Sequence, residues 1–172
     1  GECSWAMFKV ISGFVEGYEV MNRAGPCVSI FGSARTKPDH KYYKLATEIG
    51  QRLVEEGYGV ITGGGPGIME AANRGADDVD ARSVGLNITL PHEQYPNPYI
   101  TPDLCFRFHY FGMRKMHFLL RACALVVFPG GFGTLDELFE TLTLLQTQKI
   151  KPLPAILVGD DYWRRVVDAD VL

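Results

Sequence analysis

The chain has no block of five or more basic residues, and its 17 Lys and Arg are outnumbered by 20 Asp and Glu, for a net charge of −3. That balance supplies no global attraction to nucleic acid. Long apolar runs are missing as well. The longest uncharged, apolar-leaning stretch, Ala122 to Gly133, is too short to span a bilayer and is cut by Pro129 and glycines. No basic-then-apolar leader opens the sequence, so neither a membrane nor a secretory route is expected. The few cysteines (Cys3, Cys27, Cys105, Cys123) show no CxxC or zinc spacing. Cys27 opens one apolar run and Cys123 precedes another, which reads as buried free thiols in a reducing, cytoplasmic setting. The histidines (His40, His92, His109, His117) form no HExxH or paired-ligand pattern, so no metal site is expected.

Glycine is what the chain has in surplus: 19 copies in 172 residues, where average usage predicts about 12. Hydrophobic residues at 47% and charged residues at 22% are otherwise those of a globular protein. There is no Gly-X-Y period, which excludes collagen. The surplus points to unusual dihedrals or to close backbone approach of a ligand.

Two periodicities alternate along the chain. Trp5 to Asn22 is amphipathic and ends at Ala24-Gly25-Pro26, as a helix does. Cys27 to Phe31 reads as a buried strand. A helix from Pro38-Asp39 to Gly57 follows, with Leu45, Ile49 and Leu53 on one face. Tyr58 to Thr62 is a strand that runs through Gly63-Gly64-Gly65-Pro66-Gly67 into a helix beginning at Ile68. Ser83 to Leu90 is a third strand, Pro91 to Asp103 an irregular segment, and Leu104 to Tyr110 a fourth strand. Met113 to Cys123 is a helix with Met113, Met116 and Leu120 on its inner side. Ala124 to Phe128 is a strand, Pro129 to Gly133 a second glycine loop, and the helix after it carries Leu135, Leu138, Phe139, Leu142 and Leu145. Pro154 to Val158 is a last strand, and a short helix starts at Tyr162. Continuous apolar strands alternating with helices predict a Rossmann-like α/β fold, a single domain over residues 1–172 with helices on both faces of a parallel sheet.

Ligands in such sheets bind where strands end and helices begin, and both glycine loops lie there. Neither is a dinucleotide fingerprint: Ile68 stands where the first loop needs a third glycine, and Asp136 where the second does. Neither has the Walker lysine. Both keep backbone N–H groups at a helix N-terminus, which suits a single phosphate. A tight turn with no ligand is the structural alternative for either loop alone. Thr134-Leu135-Asp136-Glu137 also fits a capping box, leaving capping and catalysis open for Glu137. Arg114, His117 and Arg121 share one helical face, by default a solvated one, although that helix precedes the strand delivering the second loop.

Pro129-Gly130-Gly131-Phe132-Gly133-Thr134-Leu135-Asp136-Glu137 matches the PGGxGTxxE motif of the LOG ("Lonely Guy") family. Arg114-Lys115 matches its upstream arginine motif. Ser29 to Arg35, Gly63 to Glu70 and Gly85 to Ile88 resemble the longer bacterial branch, often mislabelled "possible lysine decarboxylase". The similarity runs from about Trp5 onward. It implies a cytokinin riboside 5′-monophosphate phosphoribohydrolase, which hydrolyses the N-glycosidic bond of an N6-modified AMP, or of AMP, to free base and ribose 5-phosphate. It implies no cofactor, and a homodimer or higher homo-oligomer with sites near subunit contacts. The catalytic pair carries over onto Arg114 and Glu137. The binding residues carry over onto Lys115, Gly130, Gly131, Phe132, Gly133, Thr134, Leu135 and Asp136, with Gly63, Gly64, Gly65 and Gly67 of the first loop, Glu93 and Thr143. Asp136 stands where short plant-type members have Glu, and Glu70 where they have Gly. Relatives usually continue past the position of Leu172 for a further helical stretch.

The chemistry suits these residues. Breaking a ribosyl–nitrogen bond builds positive charge on the sugar, which an adjacent carboxylate stabilises more in the transition state than in the ground state. The helix dipole and Arg114 are expected to keep Glu137 ionised at neutral pH. A bound phosphate and Glu137 at one helix end require a nearby cation, which Arg114 and Lys115 supply. Two other functions compete: a non-catalytic carrier of a nucleotide or of molybdenum cofactor, and a pyridoxal phosphate decarboxylase. No lysine sits in a recognisable Schiff-base context for the latter.

Overall fold

The computed structural model describes residues 2–79, 82–88, 95–108 and 111–168. Its helices are α1 (Glu2–Ala24), α2 (Lys41–Glu55), α3 (Ile68–Asp77), α4 (Phe111–Leu120), α5 (Phe132–Gln146) and α6 (Asp160–Val166). Its strands are β1 (Cys27–Phe31), β2 (Gly59–Thr62), β3 (Ser83–Ile88), β4 (Cys105–Phe108), β5 (Ala122–Val127) and β6 (Ala155–Leu157). The strands form one six-stranded sheet in the order β4-β3-β2-β1-β5-β6, parallel at every pairing.

Both faces of the sheet are covered, as continuous apolar strands require. Alternate residues of β1 feed two separate cores. Cys27 and Phe31 join Met21, Phe118, Leu138 and Trp163 on the face of α1, α4, α5 and α6. Val28 and Ile30 join Tyr43, Ala46, Ile68 and Ala72 on the face of α2 and α3. The strand order reverses at β1, between β2 and β5, so the crevice of an open α/β sheet opens beyond the carboxyl end of β1. The two glycine loops follow β2 and β5, and β1 lies between those strands rather than leaving them adjacent. Ser33, just after β1, bridges them: its N–H donates to Pro129 O at 3.0 Å, and its carbonyl accepts from Ile68 N–H at 3.0 Å.

Two further glycines serve helix packing. A Cβ on Gly50 of α2 would strike the Ala72 carbonyl oxygen, and one on Gly75 of α3 the Thr47 carbonyl oxygen. Part of the glycine surplus therefore lets α2 and α3 cross closely.

Three sequence expectations change in the tertiary context. Cys27 is buried, but Cys123 is exposed, because β5 begins at Ala122 and its first residues lie at the rim of the sheet. Met116 is exposed rather than inward; among the described side chains of α4, His117 and Phe118 are the buried ones. The face carrying Arg114 and His117 is accordingly not solvated. His117 stacks between Phe14 and Phe108, with ring centroids at 5.5 and 5.2 Å, and Arg121 hydrogen-bonds Asn22 of α1. Helix α1 covers that face at His117 and Arg121. The side chains of Met113 and Leu120 lie outside the described residues.

Candidate active site

Helix α5 starts earlier than its threonine suggested. Its N-cap is Gly131, with no side-chain cap, and the Leu135 N–H makes a helical bond to Gly131 O at 3.1 Å. Thr134 therefore occupies the third helical position and Glu137 the sixth. The capping-box reading is corrected: the extended Gly131 backbone lets the helix begin ahead of Thr134, and Glu137 is too far inside to reach back to the cap. Thr134 is buried against Gly130, whose missing Cβ would strike the Thr134 hydroxyl. Tyr162 of α6 donates to Gly130 O, fixing the loop from the other side.

The end of this helix is open. Among the described residues, a Cβ on Gly131 or Gly133 would meet no atom within 4 Å, and Phe132 is 92% exposed. The first N–H groups of an α-helix have no intrahelical acceptor and carry the positive end of the dipole. This end of α5 thus offers donors and space to an anion.

Arg114 and Glu137 are brought together beneath it. Arg114 Nη2 stands 3.9 Å from Glu137 Oε1, with side-chain exposures of 16% and 9%. The guanidinium lies 5.5 Å from the Phe118 ring centroid, and a Cβ on Gly63 would be 3.9 Å from Arg114 Nη2. Arg114 thereby spans from the first glycine loop to α5. Burial pushes the Glu137 carboxyl up to about 7, against the opposing pull of Arg114 and Lys115. Ionisation at neutral pH, as the sequence suggested, is therefore only partial, because desolvation outweighs the neighbouring cations. A carboxyl that titrates near neutrality is suited to moving a proton.

Lys115 reaches across to α5, with Nζ 2.5 Å from Asp136 Oδ2 and 2.9 Å from Glu140 Oε2. Burial alone would lower its pKa, but the bonds to Asp136 and Glu140 hold it above the ordinary lysine value. In this arrangement it straps α4 to α5. Thr143 is exposed, and its hydroxyl donates to the Phe139 carbonyl at 2.8 Å. It lies almost two turns beyond Glu137, away from the open end. Glu93 lies outside the described residues. Glu70 turns towards α2, accepting from the Tyr43 hydroxyl at 2.7 Å, so this departure from the plant-type pattern serves the α2–α3 contact.

The first loop is built differently. Gly63, Gly64, Gly65 and Gly67 are all buried. Gly67 has φ +70°, and a Cβ there would strike the Ser33 carbonyl oxygen, so glycine is required on both counts. Asn97 holds the loop from outside: its N–H donates to Gly64 O at 2.8 Å and its Nδ2 to Gly65 O at 3.1 Å. Nδ2 also reaches Asn73 Oδ1 at 3.0 Å. Thr62 donates to the same Asn73 oxygen at 2.5 Å, and its own Oγ1 accepts from Gly64 N–H at 3.0 Å. Sequence reasoning missed Thr62, Asn73, Asn97 and Ser33 as residues that shape the site. A single Asn among prolines was the available signal for Asn97, and nothing local distinguished the other three.

Comparison with known proteins agrees with this architecture. Residues 69–169 match the family described as "Possible lysine decarboxylase". The probable cytokinin riboside 5′-monophosphate phosphoribohydrolase LOGL5 of Oryza sativa subsp. japonica is 29% identical over 139 residues, 79% of this chain and 55% of that protein. The phosphoribohydrolase LOG of the same plant is 31% identical over 135 residues, 77% of this chain and 54% of that protein. The pyrimidine/purine nucleotide 5′-monophosphate nucleosidase of Escherichia coli K12 is 32% identical over 141 residues, 71% of this chain and 30% of that protein. The chain thus spans about half the length of the rice relatives and about a third of the bacterial one. Among solved structures, the molybdenum cofactor binding protein from Rippkaea orientalis superposes with TM-score 0.59 at 24% identity, over 83% of this chain and 82% of that one. The Moco carrier protein from Chlamydomonas reinhardtii gives TM-score 0.60 at 22% identity, over 78% and 76%. At those identities the likeness is one of fold alone. With its parallel sheet, its two glycine loops and a family match over residues 69–169, the chain belongs to the "Possible lysine decarboxylase" family, to which the LOG phosphoribohydrolases are its named relatives.

Proposed function

We propose that this chain hydrolyses the N-glycosidic bond of a nucleoside 5′-monophosphate, releasing free base and ribose 5-phosphate. The observation that carries the reading is the buried Arg114–Glu137 pair, 3.9 Å apart, beneath the open N-terminus of α5. The 5′-phosphate binds at that helix end, on N–H groups around Phe132, Gly133 and Thr134, with Gly131 and Gly133 leaving it room. Glu137, about a turn and a half inside, then faces the sugar. As the bond between C1′ and the base nitrogen lengthens, the electron pair leaves with the base and positive charge develops on the ribose. The ionised Glu137 stabilises that charge. It also takes the proton of the water whose oxygen adds to C1′, and the departing base acquires a proton in turn. Arg114 balances the charge of phosphate and carboxylate in one partly desolvated site.

The names of the rice relatives extend the proposal to an N6-modified AMP, with AMP as the plain substrate, and the Escherichia coli relative extends it to other purine and pyrimidine monophosphates. A carrier of nucleotide or molybdenum cofactor shares the fold, but a carrier has no use for a carboxyl tuned near neutrality. Incubating the protein with a panel of nucleoside monophosphates, and resolving free base and ribose 5-phosphate by chromatography, tests both readings. Base release that disappears in Glu137→Ala supports the proposal. Unchanged turnover in that variant overturns the assignment of the carboxylate, and copurifying pterin without base release favours the carrier.

A further inference from the structure

His117 of α4 is fully buried, between Phe14 of α1 and Phe108 of β4. Gly17 of α1 makes room for it: a Cβ there would lie 2.6 Å from His117 Nε2. Among the described residues, neither ring nitrogen has a hydrogen-bond partner. A neutral imidazole carries one donor and one acceptor. Leaving both unpaired in an apolar slot costs free energy that a phenylalanine there would not. The slot needs only an apolar ring, yet the residue in it is one that can take up a proton.

Its place on the helix gives that choice a consequence. Phe118, the next residue, packs on Phe31 of β1 with ring centroids 4.8 Å apart, and its carbonyl accepts from the Ser29 hydroxyl at 2.8 Å. Successive residues of an α-helix point about 100° apart. His117 against α1 and β4, and Phe118 against β1, therefore hold α4 on two sides and fix its roll. Arg114 falls in the sector between them, about 60° from His117 and about 40° from Phe118. The roll of α4 thus sets whether the guanidinium reaches Glu137, now 3.9 Å away.

A protonated ring would need two acceptors, and none is in reach among the described residues. Strands β1 and β3 carry no charged residue. Glu2, Lys9, Glu16, Glu19 and Arg23 of α1 and Arg107 of β4 are exposed. Asp136, Glu137 and Glu140 of α5 engage Lys115 and Arg114, and Arg121 of α4 bonds Asn22. Burial alone holds the His117 pKa below the ordinary histidine value. The docked ring binds its proton less readily than a solvated one. Docking is therefore complete above about pH 6.5 and weakens as pH falls through the lowered value.

We infer that His117 is a positioning residue for Arg114, and that its protonation lifts α1 from α4 and frees the roll that keeps Arg114 at Glu137. The release of α1 stands apart from the reaction proposed above, whereas the effect on turnover rests on it. Because the release is local, amide exchange of α1 reads it directly.

Hydrogen exchange of the full chain, followed by mass spectrometry and corrected for the intrinsic effect of pH, is the deciding experiment. Protection of α1 should fall about tenfold or more from pH 8 to pH 5 in the wild type, and by less than about twofold in His117→Phe. Should that variant fail to fold, the smaller His117→Leu takes its place. Equal losses of protection in wild type and variant would overturn the inference. In assays of base release, log(kcat/KM) should fall towards acid with a limiting slope of about two in the wild type, one proton at Glu137 and one at His117, and of about one in the variant. Equal slopes would overturn the positioning of Arg114. A chain that loses α1 protection as expected but releases no base contradicts the reaction, while the release of α1 stands.

Discussion

Gly63, Gly64, Gly65 and Gly67 lie buried and held by Asn97, Thr62 and Ser33, whereas Gly131 and Gly133 stand exposed at a helix end, with room for a side chain among the described residues. In sequence the two loops look alike, each a glycine cluster between a strand and a helix. In the fold they divide the work. The first is scaffold: Gly64 and Gly67 have positive φ, Gly67 approaches the Ser33 carbonyl closely, and the loop sets the wall against which Arg114 rests. The second leaves Gly131 and Gly133 exposed, which suits it to the phosphate site proposed above. Glycine content alone does not separate these uses; burial does.

The largest expected effect lies beneath the second loop. Glu137→Gln should lower kcat for base release by about a thousandfold, within the range of general acid–base catalysis, and in the wild type kcat/KM should rise with pH through about 7. If the loss were confined to KM, Glu137 would belong to binding instead. The same group should affect stability with a definite sign. Its carboxyl holds a proton more tightly folded than unfolded, so stability is fullest below about pH 4.5 and falls as pH rises through about 7. The fall is on the order of 3 kcal/mol. Urea denaturation at pH 5 and pH 8 should show the decline in the wild type and its absence in Glu137→Gln.

The two loops themselves come next. Gly67→Ala should cost about 2 to 3 kcal/mol of stability, from the positive φ and the clash with the Ser33 carbonyl, read as a lowered urea midpoint. Gly133→Ala should leave the midpoint unchanged and raise KM about tenfold, because its methyl enters the space offered to the phosphate. If Gly133→Ala unfolds the chain while Gly67→Ala merely weakens binding, the division between scaffold and binding loop is reversed. The smallest effect should come from Lys115→Met, which removes the ties to Asp136 and Glu140 at a cost of about 1 kcal/mol. Thermal unfolding should register it with kcat reduced by no more than a few fold.

Much of this architecture is legible in the sequence because it is local. Continuous apolar runs such as Cys27–Phe31, and helices with apolar faces such as that of Leu45, Ile49 and Leu53, carry their own periodicity. The candidate site was proposed from its motif, and its Arg114 and Glu137, separated by a strand and a loop, lie 3.9 Å apart in the fold. What stayed hidden involves distance along the chain. His117 and Arg114 read as a solvated face because nothing in α4 announces that α1 covers His117 and that Arg114 turns towards Glu137 of α5. Thr134 read as a cap because the backbone that starts α5 at Phe132 depends on Gly130 packing under Tyr162, far downstream.

The sequence by itself determined the alternation of strands and helices, the parallel sheet and the two glycine loops at strand ends, since each depends on side-chain chemistry repeated over a few residues. Only the tertiary structure decided which loop is buried, that desolvation raises Glu137 to about 7 despite Arg114, and that half of α1 remains uncovered. Burial is a sum over residues distant in the chain, and no local pattern carries it.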